Sequence, residues 1–400
     1  MQYSLKSVFN FIKWRDIGHL FLALFVLPWA LLAKIFVRRF WLVSEEKNEA
    51  RDNGYHLFRW IRENHPEQKI AYAINKKSPD YEKVKALGKV VSYGTLSHWF
   101  WYIVADKNIS SQKGGKPNAA VCYLFEVVFK MRRRNRVFLQ HGVIKDKIDC
   151  FLYPNTNMRL FVTSAVQEQQ YIEEVYGYPK GYVQMLGLAR FDALHDAEVD
   201  EKLILVMPTW RSWLGRESRE NRSMEFCETP YFKAWNEFLN SPALAELLEK
   251  YDKKLLFYPH RHMQKFVEAF STGSPRITVC DWKHYDVQDL LKRTALMITD
   301  YSSVFFDFAY MRKPVIFYQF DEEEFRARHL EEGYFDYHNT VLGQWTDTLE
   351  GALLLLGKQL EEGCPRISEE TVRSFFPLWD SENCKRNYEA IVNLNKRGTK

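Results

Sequence analysis

The six cysteines of this 400-residue chain (Cys122, Cys150, Cys227, Cys280, Cys364 and Cys384) contain no CxxC pair. That spacing excludes a zinc knuckle and a small disulfide scaffold, and it suits a reducing compartment. No Gly-x-x-x-x-Gly-Lys-Ser/Thr loop is present, so a P-loop nucleotidase is excluded. No Gly-x-Gly-x-x-Gly follows an apolar run, which argues against a dinucleotide dehydrogenase. An Asp-x-Asp pair, the usual holder of a metal–nucleotide, is missing as well. Repeats, low-complexity tracts and long Gly/Ser linkers are also absent.

What is there is a globular composition. Hydrophobic residues at 46% and charged residues at 27% rule out a disordered or fibrous chain. The length exceeds what one core usually supports, so two domains are expected. Aromatics at 16% suggest thick cores or a surface that meets lipid. The net charge is +5, and residues 1–40 carry all of it: Lys6, Lys13, Arg15, Lys34, Arg38 and Arg39 stand against Asp16. A positive excess confined to one end excludes a nucleic-acid-binding surface spread over the protein. Between those charges lies the apolar run Leu20–Ala33, broken by Pro28. It is shorter than the roughly 20 residues of a crossing helix, and no cleavage site follows it. Basic flanks around an aromatic-rich run predict a helix lying in the interface of an anionic membrane. The competing reading is an ordinary buried first helix.

From Asp52 onward, helical stretches alternate with short apolar runs. Strands are predicted at Ile70–Ile74, Lys89–Ser92, Val137–Leu139, Leu160–Thr163, Val183–Leu186, Leu203–Met207, Leu255–Tyr258, Leu296–Thr299 and Val315–Tyr318. Helices are predicted around Leu57–Ile61 and over Pro242–Tyr251 and Val287–Arg293. Strands alternating with helices predict an α/β protein with parallel, doubly wound sheets. The acidic stretch Asp192–Lys202 marks the boundary, giving segments 1–40, 41–195 and 196–400.

Ligands of open α/β sheets bind beyond the carboxyl ends of strands, and four such positions are chemically loaded. The first is His141-Gly142, with Lys145 one turn on. A strand-end histidine suits a general base, though one satisfied by a local carbonyl reads the same way. The second is Pro208-Thr209-Trp210-Arg211, where a hydroxyl and a guanidinium fork suit phosphate; the alternative is an arginine packed on Trp210. The third is His260-Arg261-His262, which lacks a third metal ligand at diagnostic spacing and so favours an anion. The fourth is Thr299-Asp300-Tyr301-Ser302-Ser303, leading into a helix whose N–H groups and two hydroxyls suit an anion. Either serine could equally be a plain N-cap. Together these describe a diphosphate-binding cleft whose charge is met by His, Arg and helix ends, with no metal and no cofactor.

In consistent order, Gln140-His141-Gly142, Gly187-Leu-Ala-Arg190-Phe-Asp192, Pro208-Thr-Trp-Arg211, Pro259-His260 and Thr299–Asp307 resemble the CDP-glycerol glycerophosphotransferase family. Lys313–Tyr318, Asp321 and the stretch Ser44–Gly54 with Asp52-Asn53 continue the likeness. The resemblance implies a GT-B-like pair of Rossmann-type domains with a cleft between them, on the cytoplasmic face of a bacterial membrane. It implies transfer of glycerol phosphate or ribitol phosphate from CDP-glycerol or CDP-ribitol, in teichoic acid or similar polymer synthesis. The acceptor would be a hydroxyl of an undecaprenyl-diphosphate-linked saccharide or of a polyol phosphate, and CMP would leave. The family's two functional histidines fall on His141 and His260. Its phosphate contacts fall on Arg211, Ser302 and Ser303, and on Arg190; Thr209, Asp300 and His262 neighbour them. Gly142, Lys145, Asp52 and Asn53 stand on the acceptor side. So do Arg132, Arg133 and Arg134, within the basic run Lys130–Arg136, which suits anionic headgroups or a lipid diphosphate as well as a solvated helix end. Gln140 before His141 and Val143 after Gly142 depart from the family pattern. Two other classes remain open: a GT-B glycosyltransferase using a nucleotide sugar, and a binding scaffold that keeps only the fold.

Overall fold

The computed structural model describes residues 13–129, 136–195, 197–214 and 222–394. The chain forms two compact units. One holds residues up to His141, Asp149–Asp192 and everything from Asp380 on; the other holds Gly142–Ile148 and Ala193–Trp379.

The first unit is a seven-stranded sheet of order β3-β2-β1-β4-β5-β6-β7. Its strands are β1 (Trp41–Ser44), β2 (Ile70–Ile74), β3 (Val90–Ser92), β4 (Lys107–Ser110), β5 (Arg136–Phe138), β6 (Leu160–Thr163) and β7 (Val183–Met185). All neighbours pair in parallel. The second unit is a six-stranded parallel sheet of order β10-β9-β8-β11-β12-β13. It is built from β8 (Asp200–Val206), β9 (Lys254–Phe257), β10 (Ile277–Val279), β11 (Thr294–Thr299), β12 (Val315–Tyr318) and β13 (Gln344–Thr346). Parallel strands need crossovers, so helices cover both faces and the strands are buried on both sides. Strand order reverses between β1 and β4 in one sheet, and between β8 and β11 in the other. Chains leaving such neighbours diverge and open a crevice at the sheet edge.

Four strands escape the sequence pattern, and each for a visible reason. β4 reads Lys-Asn-Ile-Ser, yet Lys107, Asn108 and Ser110 are all buried. β1 is four residues directly after a basic stretch, while β10 and β13 are three residues each. The final helix, Asn383–Asn393, returns to the first unit, where Cys384 and Ile391 join Leu57, Phe58 and Ile61 in one core.

The N-terminal helix α1 (Trp14–Phe36) runs through Pro28 and is 23 residues long. By length and apolar composition alone it is also long enough to cross a membrane, because the helix extends beyond the apolar run Leu20–Ala33 at both ends. A narrow stripe is buried: beside Asp16, Ala23, Val26 and Ala30 pack in the cluster that contains Trp99 and Tyr102 of helix Leu96–Val104. The remaining face leaves Phe21, Phe25, Trp29, Ile35 and Phe36 more than half exposed.

Candidate active site

In the first unit, the residues that follow β1, β4 and β5 gather around His141. Asp52 caps helix α2 (Asn53–Asn64), accepting the Asn53 N–H at 2.8 Å. Its Oδ2 lies 2.5 Å from His141 Nδ1. Gln112, in the loop after β4, places Nε2 2.8 Å from the same nitrogen and 3.3 Å from Asp52 Oδ2. Arg190 is buried and its Nη1 donates to the His141 carbonyl at 2.6 Å and to Asp52 Oδ1 at 3.1 Å. Asn53, fully buried, donates to the Gln140 carbonyl at 2.7 Å and accepts the Arg190 N–H at 2.9 Å. The loop is therefore pinned from three sides. Gln140 takes φ 65°, a left-handed conformation that costs a non-glycine residue on the order of 1–3 kcal/mol. Its side chain offsets this by donating to the Val162 carbonyl and to Glu168. The imidazole of His141 itself is 70% exposed.

Below this group lies a second carboxylate, Glu45, immediately after β1. It is buried and accepts from Gly54 N–H (2.6 Å), Ser111 Oγ and Tyr72 Oη (2.5 Å each). A Cβ on Gly54 would sit 2.7 Å from Glu45 Oε1, so only glycine lets that carboxylate reach the helix end. Burial, and next the charge of Asp52, push Glu45 up to about 7. Burial also acts to raise Asp52, but His141 and then Arg190 outweigh it and hold Asp52 down at about 2. Asp52 in turn raises His141 against the opposing effect of burial. Glu45 and Gln112 carry no motif of their own. Glu45 lies in the Ser44–Gly54 stretch but follows a strand too short to be read.

In the second unit, the residues after β8, β9 and β11 divide into a buried set and an accessible set. Arg211 is fully buried. Its Nε and Nη2 donate to the two oxygens of Asp321 at 2.7 and 2.8 Å, and Nη2 is 2.9 Å from Asp300 Oδ2. Nη1 donates to the Thr209 carbonyl at 2.9 Å. Burial disfavours the guanidinium charge, but Asp300 and Asp321 more than restore it. Asp300 also accepts the N–H groups of Thr209 and Tyr301, at 2.7 Å each. Every arm of Arg211 is thus engaged inside the fold, and it and Asp300 tie the β8 and β11 strand ends together. Direct phosphate contact, expected from the motif, does not fit that placement; the motif residue fixes the loop instead.

The accessible set surrounds Trp210, whose ring centroid lies 6.1 Å from His260 (near-parallel), 4.7 Å from His262 and 4.7 Å from His329. His260 Nδ1 accepts the His262 N–H at 3.2 Å, so the neutral ring carries its proton on Nε2 and can donate there. Ser302 and Ser303 are half-buried, and neither caps a helix. The helix begins at Phe305, runs only to Tyr310, and has Val304 as its N-cap. The N–H groups of Phe305, Phe306 and Asp307 turn back onto the carbonyls of Ser302, Ser303 and Val304. Those three N–H groups are therefore already satisfied, and the turn ahead of them presents the hydroxyls and backbone N–H groups of Ser302 and Ser303.

Lys145, expected beside His141 on the acceptor side, is instead buried in the second unit. It pairs with Asp146, which Arg326 also grips at 2.7 Å, and burial lowers the lysine's affinity for its proton. Gly142 belongs to the same short segment. Arg132, Arg133 and Arg134 lie outside the described residues.

Comparison with known proteins supplies the context for this geometry. The minor teichoic acid biosynthesis protein GgaB of Bacillus subtilis (strain 168) is 30% identical over 374 residues, covering 89% of this chain and 40% of that protein. The teichoic acid poly(glycerol phosphate) polymerase of the same organism is 25% identical over 377 residues, 84% of this chain and 46% of the relative. The chain thus spans less than half the length of either. In three dimensions, the wall teichoic acid polymerase TagF soaked with CDPG superposes with a TM-score of 0.64 at 13% identity, covering 90% of each chain. That likeness shows the shared GT-B-like fold of two parallel-sheet domains. Residues 30–393 match the CDP-glycerol:poly(glycerophosphate) glycerophosphotransferase profile, and the chain belongs to that family.

Proposed function

We propose that this chain transfers glycerol phosphate or ribitol phosphate from CDP-glycerol or CDP-ribitol to a hydroxyl of a lipid-linked acceptor. The observation that carries this reading is His141, exposed at a sheet edge with Nδ1 engaged by Asp52, in a chain of this family. The acceptor oxygen attacks the phosphorus that bears the polyol. The bond from that phosphorus to the bridging oxygen breaks, and CMP leaves with the bridging oxygen. The acceptor's proton passes to His141 Nε2, assistance typically worth about 10²–10⁴-fold.

The second unit is assigned the donor. His260, donating from Nε2, with His262, Thr209 and the hydroxyls of Ser302 and Ser303, meets charge developing on the phosphates. Arg211 and Asp300 act there through the loops they fix. The first unit is assigned the acceptor, an undecaprenyl-diphosphate-linked saccharide or a polyol phosphate. Helix α1, with its apolar side exposed and a single stripe on the protein, supports a peripheral attachment to an anionic membrane surface on the cytoplasmic side.

Separate His141→Asn and His260→Asn variants test the assignment. His141→Asn is expected to abolish turnover while CDP-glycerol still binds, and His260→Asn to weaken donor use. Full turnover by His141→Asn would overturn the assignment of the base.

A further inference from the structure

Two carboxylates share the start of helix α2 and divide its N–H groups. Glu45 takes that of Gly54, and Asp52 takes that of Asn53. With one Asp52 oxygen facing the helix end and Arg190, the other is turned toward the His141 ring. An ionised oxygen 2.5 Å from Nδ1 requires a hydrogen between them, because two lone pairs at that distance would repel. Nδ1 is therefore the protonated nitrogen, and the lone pair is on Nε2. Gln112 Nε2, 2.8 Å from Nδ1, cannot then bond to that protonated nitrogen and directs its amide hydrogen to Asp52 Oδ2 at 3.3 Å, while Arg190 holds the peptide of His141 from behind.

We infer that Asp52 is the positioning residue of His141, fixing the imidazole tautomer that leaves Nε2 basic, and that Glu45 holds Asp52 in that orientation by occupying the next helix N–H. The inference rests on the proposed role of His141 as base. Asp52 does not touch the substrate and does not itself take the proton. It steadies the imidazolium formed when Nε2 accepts the acceptor's proton, as a carboxylate does behind any histidine base. The charged and titratable groups facing this pair are His141, Arg190 and Tyr72, with the neutral Gln112 and Ser111 completing the surround. Their balance favours a charged Asp52. Opposed signs on Asp52 and Arg190 keep the cluster from repelling the imidazolium outright.

The test uses the full chain with ¹⁵N-histidine, the His141 signals being assigned by their loss in His141→Asn. Wild type is expected to show the Nδ1–H tautomer and a pKa above the ordinary histidine value. Asp52→Asn keeps a capping side chain, so the helix start survives. It is expected to lower the His141 pKa, mix the tautomers and cut kcat roughly 10²–10⁴-fold with KM for CDP-glycerol unchanged. The acid limb of its kcat profile moves to lower pH, and Asp52→Glu recovers part of kcat. Glu45→Gln is expected to give a smaller shift in the same direction. An unchanged tautomer and pKa in Asp52→Asn would overturn the inference. A changed tautomer, with His141→Asn still fully active, would uphold the positioning role and overturn His141 as the base.

Discussion

Replacing Arg211 separates a structural arginine from a phosphate ligand. Arg211→Met removes the cation that Asp300 and Asp321 share, leaving Asp300 fully buried and Asp321 with a side chain 6% exposed. Removing one partner of a buried ion pair typically costs about 3–5 kcal/mol, because an uncompensated charge remains in the interior. Two carboxylates share the loss here, but Asp300 already lies above its ordinary range through burial and can protonate, which limits the cost. For a unit of 150–250 residues each kcal/mol moves the melting temperature by about 2–4 °C, so a drop of about 6–20 °C is expected. Differential scanning calorimetry on wild type, Arg211→Met and Arg211→Lys reads it directly. Lysine keeps the charge but cannot span both Asp321 oxygens and Asp300 together, so it should fall between the other two. If Arg211→Met melted within about 2 °C of wild type yet no longer bound CDP-glycerol, the side chain would be a ligand contact and this reasoning would be wrong.

Other expectations follow from the same geometry. Glu45 binds its proton more tightly folded (about 7) than in its ordinary state (4.5), so native stability should fall as pH rises through that window. Glu45→Gln should flatten that slope in urea titrations at pH 4.5, 6 and 7.5, and an unchanged slope would contradict the burial argument. Asp52 works in the opposite sense: its contribution is present above the ordinary 3.8 and disappears as pH falls toward about 2, an acid-side loss that Asp52→Asn should remove. Ser302→Ala and Ser303→Ala should leave the melting temperature unmoved, since Val304 caps that helix, while raising KM for the donor. Phe25→Glu with Trp29→Glu should release the protein from anionic vesicles in co-sedimentation; retained binding would remove α1 from the attachment surface.

Much of the fold was legible because parallel strands buried on both faces read as apolar runs: β2, β6 and β12 coincide with their predicted limits. β4 did not, because burial of Lys107 and Asn108 depends on tertiary partners that the local pattern does not encode. The strand-end histidines were legible for the same reason the strands were. Their surroundings were not. Asp52 and His141 are 89 residues apart, and only the reversal of strand order at β1 and β4 brings them together. Arg211 shows the opposite case, a side chain whose chemistry suited phosphate but whose burial against Asp300 and Asp321 reserves it for the fold.

The most direct measurement is CMP release from CDP-glycerol and from CDP-ribitol, with and without an undecaprenyl-diphosphate-linked saccharide, followed by mass analysis of the lipid product. Acceptor-dependent CMP, with polyol phosphate units added to the lipid, is the predicted result. No CMP from either donor, from folded protein that instead transfers a sugar from a nucleotide sugar, would contradict the account.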